Sequence, residues 1–160
     1  MNILTVNLLL STLIFAMLAR IYVWPRLRTM ELTAALTPIL LIHAFRHLGL
    51  MFLEPGATLP GMPPEFARPA AYGDFLAALL ALVCLGVLAL RPRYAIPLVW
   101  VFSIEGTVDL ITAIALATKY GAVHFMGAAY WIPALWVPAL LVTHFLAFRL
   151  LLRPRSMRRG

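Results

Sequence analysis

The chain has 160 residues, 63% of them hydrophobic and only 12% charged, with a formal net charge of +7. Soluble domains are about 45–50% apolar and about 25% charged, and a chain this short cannot hide the excess in one core. Composition therefore excludes an ordinary soluble domain and points to one bundle of helices with lipid as its solvent.

The positive charge does not signal nucleic acid, because Arg and Lys stand just outside apolar runs and do not interleave with exposed aromatics. The expected fold is all-α: a polytopic membrane bundle of five transmembrane helices forming a single domain.

The first apolar run covers residues 3–23. Its positive charges, Arg20, Arg26 and Arg28, follow it, the reverse of a cleavable signal peptide, so it reads as a retained helix with its N-terminus translocated. Asn7, Ser11 and Thr12 are expected to turn toward neighbouring helices. Residues 24–28, Trp-Pro-Arg-Leu-Arg, read as a short basic turn. The second run covers residues 32–53, with Pro38 near its start.

Residues 54–69 contain Pro55, Pro60, Pro63, Pro64 and Pro69 with Gly56 and Gly61. Such a segment predicts a non-helical connector, long enough to serve as a lid over the bundle. The third span, residues 71–90, offers Gly73, Ala77, Ala81 and Gly86 as a small-residue face for close packing. The fourth covers residues 96–118 and the fifth residues 128–152, with Pro133 and Pro138 inside it and a basic tail at 153–160. The single cysteine, Cys84, falls in an apolar run and reads as a small buried hydrophobe.

Alternating sides places Arg20, Arg26, Arg28, Arg91, Arg93, Arg149, Arg153, Arg155, Arg158 and Arg159 on one face. Arg68 and Lys119 fall on the other. The positive-inside rule makes the basic face cytoplasmic, with the N-terminus outside, in a multi-pass protein of a bacterial-type inner or plasma membrane.

Two stretches break the apolar runs at matching depth. His43-Ala-Phe-Arg46-His47 lies in the second span and Glu105-Gly-Thr-Val-Asp109 in the fourth. Both helices run outward from the same side, so at about 1.5 Å per residue His43 meets Glu105 near mid-membrane and His47 meets Asp109 one turn further out. His43, Arg46 and His47 fit within one 100° arc of an α-helix.

A lone cation is not tolerated at that depth, so Arg46 is expected to pair with Asp109 or Glu105. One arginine against two carboxylates leaves a surplus negative charge that needs a proton or a cation. Glu105 and Asp109 are thus the expected acid–base pair. His43, Arg46, His47, Asp74, Trp136 and His144 are the expected ligand-binding residues, with Asp74 slightly above His47 and His144 somewhat below His43.

The i,i+4 histidines lack the glutamate of a metalloprotease helix, and the arginine between them disfavours a metal; no metal site is expected. No cofactor is specified. Phosphate-binding loops, paired-cysteine motifs and nucleophile elbows are missing from the sequence.

The leading reading is a bundle enclosing a pocket for an apolar or lipid-like molecule, isoprenoid- or sterol-like if the site is an enzyme's. A carboxyl group desolvated there could donate a proton near neutral pH. The alternatives are a haem or metal electron-transfer protein with axial histidines such as His43 or His47 with His144, and an accessory subunit of a membrane complex. The bilayer is the expected partner, with a homo-oligomer or a larger complex open.

Overall fold

The described residues form five long helices, each apolar enough and long enough to cross a membrane. The computed structural model describes residues 3–153, apart from the side chains of Pro92 and Arg93. Arg155, Arg158 and Arg159, which contribute to the expected basic tail, lie outside the described residues. In chain order these are α1 (Ile3–Leu27), α2 (Leu32–Leu53), α3 (Pro64–Leu90), α4 (Pro92–Lys119) and α5 (Gly127–Leu151). Among the described residues there is no strand.

Several boundaries differ from the sequence reading, each for a local reason. The expected basic turn at 24–28 is helical as far as Leu27, so α1 is longer than expected. Pro25 is accommodated because a π-helical turn at Ala19–Val23 precedes it and Trp24–Leu27 starts afresh with proline in its first turn.

The expected non-helical segment at 54–69 ends early. Pro64 opens α3 at its first position, where a missing N–H costs nothing, and Pro69 lies within the helix. Residues 54–63 form an ordered loop. Leu59 N–H donates to Phe125 O at 2.8 Å, and Ala129 N–H donates to Ala57 O at 2.9 Å.

Helix α2 changes its winding midway. It is α-helical from Leu32 to Ala44 and then 3-10 helical from Phe45 to Leu53. Three residues per turn line up every third side chain, and the buried residues of that stretch are Arg46, Gly49 and Phe52.

Packing divides the interior into three layers. One apolar core gathers Leu36, Leu40, Cys84, Phe102 and Leu150 at one end of the bundle, and a second gathers Phe52, Phe66, Leu110, Met126 and Leu140 at the other. Between them lies a belt of buried polar groups, His43, Arg46, Asp74, Ser103 and His144. The outside is apolar as well, with Leu9, Leu13, Ile14, Leu82, Val108, Ile111 and Phe145 all exposed.

The small face of α3 carries Ala77 and Ala81 as expected, but it continues through Cys84 and Leu88. Gly86 is exposed, because five residues beyond Ala81 is about 140° off that face. Asn7 reaches across to donate to the Tyr130 hydroxyl at 3.1 Å, whereas Thr12 turns back to Leu8 O of its own helix.

Candidate functional site

The polar belt is built around one fully buried arginine. Arg46 has 0% exposure, and its guanidinium reaches three acceptors on two other helices. Nε–H donates to Asp74 Oδ1 at 2.7 Å, an Nη2–H to Asp109 Oδ2 at 2.5 Å, and an Nη1–H to the Gly106 carbonyl at 3.2 Å. The planar fork fixes these directions in a way an ammonium could not. It ties α2 to both α3 and α4.

Glycines make room for these groups. A Cβ on Gly49 would collide with the Asp74 carboxylate, and one on Gly73 would collide with that of Asp109. A Cβ on Gly106 would lie 2.5 Å from His144 Nε2 and 2.7 Å from Arg46 Nη1. Each of these side chains therefore occupies a notch in a neighbouring helix: Asp74 on α2, Asp109 on α3, Arg46 and His144 on α4. Three glycines on three helices set the shape of the site.

Charge does not balance there. One guanidinium faces Asp74 and Asp109 directly, and Glu105 stands one turn before Asp109 on the same helix with its Oε2 buried and without a hydrogen-bond partner. The structure thus pairs Arg46 with Asp109 and Asp74, and does not pair it with Glu105.

The histidines divide. His43 is buried, and its Nε2 lies 3.0 Å from Thr143 Oγ1, a hydroxyl also within 3.0 Å of the Ala139 and Leu140 carbonyls. That hydroxyl proton is committed to a helix carbonyl, so the Thr143 oxygen accepts from an Nε2–H tautomer of His43. Nδ1 of His43 and both ring nitrogens of His144 are then buried without partners, as is Ser103 Oγ.

The two rings pack at 4.1 Å between centroids, with Phe102 5.1 Å from each. His144 is therefore level with His43, not below it as helix counting suggests. Its helix begins with 3-10 and π-helical turns, at Gly127–Tyr130 and Ile132–Trp136, whose rise departs from the α-helical one. In direct contact, the two rings leave no gap that could take a porphyrin between them.

His47 is exposed and bonds only to Ala44 O of its own helix, at 2.9 Å. The expectation that it joins the polar centre fails because the winding there has three residues per turn, which puts Arg46, not His47, in line with His43. Trp136 is half-buried against the second apolar core, 6.3 Å from Trp131, with its Nε1 unpartnered. It is not in contact with the Arg46 cluster through any hydrogen bond or ring pair. Among the described residues no group of three or more His, Cys, Asp or Glu is placed to hold a metal ion.

Next to the cluster is a cavity of about 330 Å³. Its walls include Leu8, Phe52, Phe66, Leu110, Ile114 and Met126, its far end is edged by Thr118 and His124, and its acidic group is Asp74. Glu105 and Asp109 do not line it. Nor do residues 54–63, so the proline-rich loop braces the segment around Phe125 and does not roof the opening.

A family model described as Domain of unknown function (DUF8737) matches residues 3–152. The chain belongs to this family. The match covers all five helices and every residue of the polar belt, so the belt and its cavity lie wholly within the family's domain. No curated protein and no solved structure matches the chain.

Proposed function

We propose that the chain is a multi-pass integral membrane protein that binds an apolar or lipid-like small molecule in the cavity beside Asp74. The observation that carries this reading is the cavity itself, apolar along its walls and ending on one carboxylate that a buried arginine holds in place. Ligand sites have this form, with a few polar groups fixing orientation inside an apolar cleft of about 300–1,000 Å³. The exposed apolar side chains around the bundle fit lipid contact, and the distribution of basic residues supports an outside N-terminus and a cytoplasmic C-terminus.

In this reading Asp74 meets the polar end of the ligand, a hydroxyl or an amine. Arg46 orients that carboxylate, and Asp109 competes for the same guanidinium. Three carboxylates stand near one cation that pairs with two of them, so neutrality of the cluster takes two protons or bound cations. Proton exchange with a bound ligand is the chemistry this arrangement favours, with Glu105 and Asp109 as the proton-holding groups behind Asp74.

The test is native mass spectrometry of the protein gently extracted from its own membrane. An apolar mass retained by the wild type, and lost in both Asp74→Asn and Ala113→Phe, supports the reading; the second change fills the cavity wall without touching a charge. A bare chain would overturn it and leave the belt as a lock on helix packing. A haem or metal mass sensitive to His43 or His144 would replace it with the redox reading.

A further inference from the structure

The groove between α1 and α5, at the end of the bundle opposite the cavity, has two unlike parts. Small side chains on α1, among them Thr12 and Ala16, leave a gap against Val142 and Phe145 of α5, enclosing about 460 Å³. Its end is lined by Arg20 and Arg149, beside Trp24. Arg149 stacks its guanidinium 4.0 Å above the Trp24 ring, which holds the charge at the rim. The π-helical turn at Ala19–Val23 widens α1 where Arg20 leaves it.

Both ion pairs among the described residues belong to Arg46. Among the described residues, therefore, Arg20 and Arg149 face the groove with no carboxylate paired to them. From Arg20 inward to Thr12 is about 12 Å along the helix, an apolar channel as long as the upper part of an acyl chain. Two guanidiniums above such a channel complement an anionic head with an apolar tail. A second protein helix would fill the channel but would leave both cations unmatched.

We infer that this groove is a binding site for an anionic phospholipid, its phosphate between Arg20 and Arg149 and one acyl chain between α1 and α5. The inference rests on the membrane-spanning reading but not on any ligand in the Asp74 cavity. The side concerned is the one expected to be cytoplasmic, where anionic headgroups and juxtamembrane arginines attract each other.

The experiment is native mass spectrometry of the full chain from micelles doped with equal phosphatidylglycerol and phosphatidylcholine of identical acyl chains. Phosphatidylglycerol should be enriched among retained lipids by at least about fivefold. Arg20→Gln with Arg149→Gln should abolish the enrichment, and Arg20→Lys with Arg149→Lys should keep most of it. Ala16→Leu should lower retention of the lipid with both arginines in place, which carries the test if the neutralised variant fails to fold.

Arg28→Gln, on the same side but outside the groove, should change nothing. Equal retention of the two lipids, enrichment that survives the double glutamine change, inorganic phosphate bound without lipid, or a protein dimer in place of lipid would each overturn the inference. Ala113→Phe separates the two sites: it empties the cavity and leaves phosphatidylglycerol retention as it was.

Discussion

Replacing Gly73 by alanine adds one methyl group and no charge, yet it should strike the polar belt directly. The new Cβ would overlap the Asp109 carboxylate, with Cγ at 2.5 Å and Oδ2 at 3.1 Å, so the side chain has to leave its notch. Its departure removes the Asp109 bond to Arg46 and leaves the guanidinium with Asp74 and the Gly106 carbonyl. Overpacking costs about 1–3 kcal/mol, and loss of a charged hydrogen bond costs about 1.5–3 kcal/mol. Unfolded-state helices in a bilayer find other polar partners, which pulls the total toward the low end, about 3 kcal/mol.

Gly86, on the same helix, is the control, since a Cβ there meets nothing within 4 Å. Gly86→Ala should be neutral or stabilise by about 0.5–1 kcal/mol through helix propensity alone. Reversible unfolding in mixed micelles, followed by circular dichroism, measures both. The two variants agreeing within about 0.5 kcal/mol would refute the notch, and with it the claim that glycine placement shapes the site.

Arg46→Met should destabilise by about 3–5 kcal/mol because it strands two carboxylates, and adding Asp74→Asn with Asp109→Asn should recover much of the loss, read in the same micelles. His47→Ala should stay within about 0.5 kcal/mol of wild type, since that ring is exposed and bonds only locally. His144→Phe should keep stability within about 1.5 kcal/mol, because neither ring nitrogen has a partner and the ring packing is preserved; a large loss would reveal a bond absent from this description. In a Cys84→Ala background, Thr29→Cys and Glu54→Cys should label with an impermeant maleimide from opposite sides of sealed vesicles. Labelling from the same side would overturn the five-span orientation.

The existence of the five helices was legible because lipid-length apolar runs are long and unmistakable, and Arg28 and Arg91 mark the ends of two of them. Local winding was not. A hydrophobicity pattern read at 3.6 residues per turn puts His43 and His47 on one face, whereas the 3-10 stretch puts His43, Arg46, Gly49 and Phe52 in line. Gly49 three residues after Arg46 was the available signal, a side chain missing where a neighbour needs space.

Pro64 and Pro69 misled for a related reason: proline counts as a breaker in composition, yet Pro64 is harmless at the first helical position and the helix runs on through Pro69. The pairing of Arg46 with Asp109 follows from depth. The choice of Asp74 over Glu105 does not, because it depends on rotations of α3 and α4 that no single helix's sequence reveals. The same holds for the cavity, whose walls come from residues far apart in the chain with no carboxylate except Asp74.

The winding of α2 also has a mechanical side. Nine residues from Phe45 to Leu53 wound at about 2 Å each cover about 18 Å, where the α-helical form of the same segment covers about 13.5 Å. The segment is therefore a slack reserve of length. Rewound as an α-helix it would shorten by almost one full turn and turn about 20° less for each residue passed, which rotates its far end. Phe52 would swing out of the cavity wall, Gly49 would leave the Asp74 carboxylate without its notch, and His47 would come round toward the belt. One change of pitch in one helix thus moves the wall, the notch and the spare imidazole together, as a single stroke of a piston that also turns.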